Sequence, residues 1–135
     1  MAYTPNGIVT SGFPLDDFTF TYQLTGVAQT DNAAAATAGK VVSLDASKPG
    51  AVKLAADGET IIGRIFLAEN RAVQGFMTAA VQRKFKEKVP AAEGHGIVIG
   101  DSVVGAGDGL VKKAGAENGS LVIEVGTDYV VVELF

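Results

Sequence analysis

The sequence offers few side chains that could move a proton or hold a reactive group. His95 is the only histidine, and the chain has no cysteine, so thiolate chemistry, thiolate metal sites and paired-histidine sites are excluded. The only carboxylate near His95 along the chain is Glu93, and Gly94 and Gly96 flank the imidazole. A catalytic histidine needs a partner that orders its ring. We interpret His95 as a turn residue and expect no enzymatic activity.

Two further patterns have residue types that bind ions. The segment 105–109 is glycine-rich, but it lacks the spacing and the Lys-Ser/Thr pair of phosphate-binding loops, and a strand pattern rather than a helix follows it. Asp16 with Asp17, and Asp101 with Asp108, are carboxylates that Ca²⁺ could use, yet the EF-hand spacing is missing. We predict a hairpin turn at 105–109, aspartates that cap turns or face solvent, and neither a metal nor a cofactor.

Composition and charge argue against nucleic-acid and membrane partners. The 135-residue chain has a formal net charge of −4, whereas binding to nucleic-acid phosphates requires clustered Lys and Arg. One basic cluster, Arg83, Lys84, Lys86 and Lys88, is interrupted by Glu87, and we interpret it as a solvated strand face. The N-terminus has no secretory signal pattern, and no window approaches a membrane span of about 18 consecutive apolar residues. We expect a soluble protein that is made in a cytoplasm.

The elements that must position these side chains are short strands. Within 39–65, blocks of Val, Ile and Leu are separated by the turn residues of 47–50 and 57–58, a pattern that predicts three short strands. The chain has 17 glycines and few charges, which favours many tight turns. We therefore predict one all-β domain, a compact small β-barrel or β-sandwich of short antiparallel strands, with room for one short helix.

A weak internal repeat supports this architecture. The pattern of 39–65 returns about 60 residues later, and two such units would cover each other's apolar faces. In the predicted alignment Val103, Gly109, Val111, Lys112, Ala114, Gly119, Val122 and Ile123 take the places of Val42, Gly50, Val52, Lys53, Ala55, Gly58, Ile61 and Ile62. The alternative is chance similarity between two stretches that are both rich in Gly and Val.

Three other segments have their own predictions. Residues 72–89 fit both a strand and a helix period; we favour a long strand that ends before Pro90, with an amphipathic helix as the alternative. Residues 31–36 could form one helical turn with Asp31 or Asn32 as N-cap, but the run is short and we treat it as a linker. Residues 121–125 and 129–135 are predicted to be two strands around a turn.

Aromatic side chains concentrate at the N-terminus. Five of the ten aromatic residues lie in the first 22 positions. Two interpretations stay open: these rings belong to the domain's own core, or the segment is an arm that lies on another subunit. We divide the chain into an N-terminal arm, 1–22, and a β-rich domain, 23–135. The predicted contact residues of the arm are Tyr3, Pro5, Phe13, Phe18, Phe20 and Tyr22.

Between residues 27 and 134 the sequence resembles the head-decoration, or capsid cement, proteins of tailed bacteriophages. The phrases that carry the resemblance are GKVVSLD at 39–45, AVKLAADGE at 51–59, IIGRI at 61–65, IGDSVVGA at 99–106 and GLVK at 109–112. The resemblance implies a β-barrel-like or β-sandwich domain without enzymatic activity. It also implies a homotrimer that binds the major capsid protein on the outer surface of the virion shell.

The sequence leaves one rival function of a different class. A small β-barrel could instead bind a ligand or a carbohydrate as an accessory module of a virion, which would require a concave pocket lined by Tyr129, Phe66 or Phe76. An enzyme is the weakest interpretation, because no acid, base and nucleophile are grouped in the sequence. We expect neither nucleic acid, nor membrane, nor a small-molecule substrate as partner.

Overall fold

The computed structural model describes residues 19–135, and strands make up most of this part of the chain. The strands are β1 (Thr19–Thr25), β2 (Val41–Leu44), β3 (Ala51–Leu54), β4 (Gly63–Arg71), β5 (Phe76–Gln82), β6 (Phe85–Pro90), β7 (Val103–Gly107), β8 (Leu110–Lys113), β9 (Ser120–Val125) and β10 (Tyr129–Leu134). Within 19–135, one α-helix, α1 (Asp31–Ala36), and one 3₁₀ turn, Ala72–Gln74, accompany them. The all-β prediction is confirmed.

The first five strands form a closed barrel in the order β1-β3-β2-β4-β5. All its ladders are antiparallel except β1–β3, which is parallel and places Leu24 opposite Val52. Side chains alternate between core and surface: in β5, Met77, Ala79 and Val81 are buried, while the residues between them face outward. This alternation is the period-two pattern of the sequence, and it fills the barrel interior with apolar side chains.

The last five strands form a second unit. A three-stranded sheet, β6-β10-β9, and a hairpin, β7-β8, are joined by a parallel bridge between Ala91 and Val111. On the other side, Val122 of β9 exchanges backbone hydrogen bonds of 2.8 and 2.9 Å with Gly100 and Asp101, just before β7. Its strands therefore neighbour each other in the same cyclic order as those of the first unit.

The predicted repeat is confirmed in the first hairpin of each unit. In the β2–β3 pair, Val42 lies opposite Leu54 and Ser43 opposite Lys53. In the β7–β8 pair, Val103 lies opposite Lys113 and Val104 opposite Lys112, so the aligned residues occupy the same register. The two hairpins are therefore structurally equivalent.

Beyond the hairpin the predicted alignment is wrong, because Val122 corresponds to Ile65 rather than to Ile61. The Gly39 amide donates to the Ile65 carbonyl oxygen, and the Ile65 amide donates to the Lys40 carbonyl oxygen, both at 2.8 Å. In the second unit the Gly100 amide donates to the Val122 carbonyl oxygen, and the Val122 amide donates to the Asp101 carbonyl oxygen. Gly39 and Gly100 both have a positive φ, of 86° and 97°, which matches the glycine of a G1 bulge. The loops that follow the two hairpins differ in length, so equivalent strand residues are spaced differently along the sequence although they occupy equivalent places in the fold.

The equivalence extends to the remaining strands. β4 pairs with β5 through a register shift at Phe66, and β9 pairs with β10 through a shift at the equivalent place, beside Ile123. β1 lies next to β5 as β6 lies next to β10. Ten strands of the described chain thus form two units of one topology, the first of which (19–82) also contains α1.

The two units pack against each other, and each has its own core cluster. The core of the second unit includes Val41, Ala55 and Ile61 from the first, and backbone hydrogen bonds cross the junction. In each of these bonds a backbone amide of one unit donates to a carbonyl oxygen of the other: Gly58 to Gly105, Gly105 to Glu59, Val41 to Gly109 and Gly109 to Ala55. Gly105 lies so close to the first unit that a Cβ there would meet the Ala56 carbonyl oxygen and, at 2.8 Å, the Ala55 methyl.

Two element predictions require correction. Residues 72–89 form neither one long strand nor a helix. A 3₁₀ turn ends at Gly75, which has φ 88°, β5 follows, and a bend at 83–84 carries the chain into β6.

Residues 31–36 form a helix rather than a linker. Its N-cap is Thr30, whose Oγ1 accepts a hydrogen bond from the Ala33 amide at 3.1 Å. The helix persists because Ala34 is buried in the first barrel.

The boundary predicted between arm and domain falls inside β1. Strand β1 begins at Thr19, and Phe20 and Tyr22 lie opposite Val81 and Ala79 in the ladder with β5. These two aromatic residues therefore belong to the first barrel.

Candidate functional site

The His95 side chain is fully engaged in holding a loop. Its Nδ1 accepts a hydrogen bond from the Ile97 amide at 3.0 Å. Because a backbone N–H can only donate, Nδ1 has no proton in this bond. The proton is therefore on Nε2, which donates to the Gly126 carbonyl oxygen at 2.9 Å. Both ring nitrogens serve the loop that covers the end of the second unit, and neither is available as a base.

Two carboxylates have strongly perturbed pKa values, and both are structural. Hydrogen bonds from Ser47 and Thr25 lower the pKa of Asp45 to about 2. The Ala56 amide, the Ser43 hydroxyl and Lys53 lower the pKa of Glu59 to about 2. A carboxylate with so low a pKa is a weak base at neutral pH.

The predicted hairpin at 105–109 is confirmed by strands β7 and β8. Asp108, with φ 53°, lies in its turn and pairs with Lys40 at 3.2 Å. Asp101 accepts from the Val98 amide at 2.9 Å. Asp16 and Asp17 lie outside the described residues, and among 19–135 no three metal-binding side chains are grouped as for an ion.

The structure describes two of the six predicted contact residues. Tyr3, Pro5, Phe13 and Phe18 lie outside the described residues. Phe20 is 52 % exposed at one end of the first barrel. Tyr22 packs against the first core, and its hydroxyl accepts a hydrogen bond from Arg83 at 2.7 Å. Phe20 therefore remains a surface ring, whereas Tyr22 also stabilises the barrel.

A surface with both apolar and polar side chains lies on the outside of β1, β5 and β4, and we call it the outer face. It encloses an open groove of about 390 Å³. The residues that line it are Thr21, Leu67, Glu69, Arg71, Phe76, Thr78 and Ala80. Leu67 is 58 % exposed, and the charged pair Arg71 and Glu69, at 2.9 Å, lies at one end.

The bulge in β4 creates this face. Simple alternation from the buried Gly63 and Ile65 would point Leu67 into the core. The register shift between Ile65 and Leu67 turns Leu67 outward and buries Ala68 instead. Leu67 was missed by sequence reasoning because no local signal marks this bulge.

The second unit provides an internal reference for the outer face. By the strand register, Thr21, Leu67 and Thr78 correspond to Lys88, Glu124 and Tyr129. These three polar side chains contact each other: the Tyr129 hydroxyl donates to Glu124 at 3.1 Å, and Lys88 Nζ lies 4.3 Å from the ring centroid. The bond to Glu124 raises the pKa of Tyr129. At these three positions the second unit therefore has charged or hydroxyl side chains that pair with each other, whereas the first unit has Leu67 and two threonines.

A second groove, which we call the inter-unit groove, runs between the two units. It has a volume of about 560 Å³, and its charged lining consists of Lys40, Arg64, Lys88 and Asp128. Tyr129 lines this groove, whereas Phe76 lines the outer face. Two of the three aromatic residues named for a ligand pocket, Tyr129, Phe66 or Phe76, therefore each line a groove, and the two grooves are different ones.

Comparison of the chain with protein-family models, with curated proteins and with solved structures finds no match. Within 19–135, no helix has the length and apolar character that crossing a membrane requires.

Proposed function

We propose that this protein is a decoration, or cement, protein of a tailed-bacteriophage head. It binds the major capsid protein on the outside of the assembled shell and ties neighbouring capsid subunits together. The observation that carries the proposal is the outer face, where Leu67 and Phe76 line a surface groove of a closed barrel and Leu67 takes the place of Glu124 of the second unit. The resemblance of 27–134 to decoration proteins supplies the class of partner.

The outer face has the chemistry of a protein contact. The groove is lined by the small side chains Thr21, Thr78 and Ala80, by Leu67 and Phe76, and by the charged pair Glu69 and Arg71. Such apolar anchors supply most of the binding energy in protein interfaces when water is excluded around them. Closed strand ladders hold these side chains in place, so little conformational entropy is lost on binding.

A homotrimer fits this function. Each copy would present one outer face, and a trimer would engage several capsid subunits at once. Once one copy is bound, the others bind at a high effective concentration, so modest single contacts give stable attachment. The arm, 1–18, would add contacts of its own to the same partner.

Co-sedimentation with the capsid of the phage that encodes the protein tests the proposal. We expect binding to mature, expanded shells, measured beside immature shells, and a solution mass of three chains. Failure to co-sediment with either shell contradicts the proposed function.

Leu67→Glu tests the outer face. This variant introduces the residue type that the second unit has at the equivalent position, Glu124, so we expect the barrel to fold. Capsid affinity should fall by about tenfold or more, the cost of losing an interface anchor. Leu44→Glu is the matched control, because Leu44 is also 58 % exposed but lies on β2. Equal effects of the two substitutions would refute the assignment of the contact to this face.

The arm is tested by deletion of residues 2–18. The deletion stops there because β1 begins at Thr19, and removal of 19–22 would open the barrel. We expect loss of capsid binding with an unchanged far-ultraviolet circular dichroism spectrum. Retained binding would show that the arm is dispensable.

A further inference from the structure

The inter-unit groove concentrates positive charge on a chain that is negative as a whole. Lys40, Arg64 and Lys88 line it, and Asp128 is the only acidic residue in its lining. The formal net charge of the chain is −4. The groove is therefore a local exception to the charge of the protein.

Arg64 is the centre of this groove, and its partners are neutral. Its Nε donates to the Lys88 carbonyl oxygen at 2.9 Å, and its Nη1 donates to Gln82 Oε1 at 2.8 Å. No carboxylate of residues 19–135 lies within ion-pair distance of Arg64. Burial lowers the pKa of Arg64, and the charge of nearby Glu87 opposes this effect. Two neutral acceptors thus replace part of the water that burial removes from the guanidinium, and an anion would add a charge-assisted contact.

The other two cations leave room for an anion. Lys88 lies over the Tyr129 ring at 4.3 Å and has no carboxylate partner in the part of the chain that is described. Lys40 pairs with Asp108 at 3.2 Å, but Asp108 is 73 % exposed, and exposed ion pairs exchange partners at little cost. Lys40 and Lys88 can therefore turn to a ligand, and Arg64 can contribute Nη2, which donates to none of the described residues.

The second unit shows that the fold does not require these charges. By the bulge hydrogen bonds and the strand register, Lys40 corresponds to Asp101 and Arg64 corresponds to Leu121. The same backbone thus accepts an acidic and an apolar side chain at the two positions. The fold therefore does not require Lys40 and Arg64 at these positions, and their positive charges are specific to this groove.

We propose that the inter-unit groove binds a carboxylate group of a partner protein segment, with Arg64 and Lys88 as its ligands. The planar guanidinium matches a carboxylate in a two-bond geometry. The Tyr129 ring and the neighbouring Val89 and Pro90 give the groove an apolar wall, which suits a peptide. The negative net charge and Asp128 disfavour a polyphosphate chain. The proposal holds whether or not the partner is a capsid.

The test is a titration of the isotope-labelled full chain followed by amide chemical shifts. The probe is acetyl-tetraglutamate amide, the neutral control is acetyl-tetraglutamine amide, and inorganic phosphate is a third arm at matched ionic strength. We expect saturable shifts of the Gly39, Lys40, Val89 and Tyr129 amides with the glutamate peptide alone. Absence of saturable shifts, equal shifts with the glutamine peptide, or tighter binding of phosphate would overturn the carboxylate assignment.

Two variants locate the site. Lys88→Gln should weaken peptide binding by about threefold, the value of one exposed charge, while Lys48→Gln, in the β2–β3 turn, should leave it unchanged. Arg64→Lys keeps the charge and removes the two-bond geometry, and it should weaken binding further if circular dichroism shows a folded protein. Equal affinity of Lys88→Gln and Lys48→Gln would refute the site. Since the readout is peptide binding, a merely structural contribution of Arg64 to the junction of the units would not produce this pattern.

Discussion

The junction between the two units yields a sharp prediction at Gly105. Gly105 has no positive φ, so an alanine there causes no backbone strain. Any effect on stability must therefore come from steric contacts of the added Cβ. Its Cβ would meet the Ala56 carbonyl oxygen and, at 2.8 Å, the Ala55 methyl. The closest of these atoms is backbone, which cannot rotate away as a flexible side chain would.

The expected cost of Gly105→Ala follows from these contacts. Overpacking a tight site costs about 1–3 kcal/mol. Moving β7 away also weakens the hydrogen bonds from Gly58 to Gly105 and from Gly105 to Glu59, both 2.8 Å, each of which contributes about 1 kcal/mol. We therefore expect a loss of about 2–4 kcal/mol in the free energy of unfolding. That is a large part of the stability of an ordinary domain, about 5–15 kcal/mol.

The assay is equilibrium unfolding in urea, followed by far-ultraviolet circular dichroism because the chain has no tryptophan. Gly115→Ala is the control: a Cβ at Gly115 meets no atom within 4 Å, and its φ is not positive. That variant should be neutral or slightly more stable, since alanine restricts the unfolded chain. A loss below about 1 kcal/mol for Gly105→Ala, or an equal loss for both variants, would refute the tight junction.

Two further predictions concern polar side chains that hold loops and strands together within each unit. Ser120→Ala should cost about 1–3 kcal/mol in urea unfolding, because Ser120 Oγ accepts from the buried Val103 amide at 3.0 Å and that amide would lose its partner. Exposed Thr60→Ala is the control, and a neutral Ser120 variant would contradict this prediction. The pKa of Glu59 is lowered from 4.5 to about 2, so its stabilisation is present above about pH 4.5 and is lost as pH falls towards about 2. Glu59→Gln should therefore show a smaller drop of the urea midpoint between these pH values than the wild type, and an unchanged drop would show that Glu59 contributes nothing.

Several parts of the fold could be predicted because they depend on local pattern. The strand alternation of Met77, Ala79 and Val81 is visible in the sequence, and it survives because each side chain meets the barrel interior. The turn residues of the two hairpins likewise predicted their position and their equivalence. The break between β5 and β6 at 83–84 was not predicted, because nothing in the local sequence says that the chain changes from one unit to the other there.

The candidate site depended on long-range structure. Helix α1 is too short to persist alone, and Ala34 stabilises it only by packing inside a barrel whose other strands lie far along the chain. Arg64 and Lys88 are 24 residues apart, and their meeting requires both units. Neither the packing of α1 on the barrel nor the proximity of Arg64 and Lys88 can be recognised in a single segment of the sequence.

The sequence by itself determined the class of the fold and the first hairpin of each unit, since alternation and turn chemistry act between neighbouring residues. It also restricted the chemistry of the chain, because the sequence has no cysteine and one histidine. Only the tertiary structure decided which side chains face outward. A one-residue bulge at Phe66 reverses the alternation of β4 and brings Leu67 to the surface, and such a bulge arises from the pairing of whole strands rather than from the residues beside it.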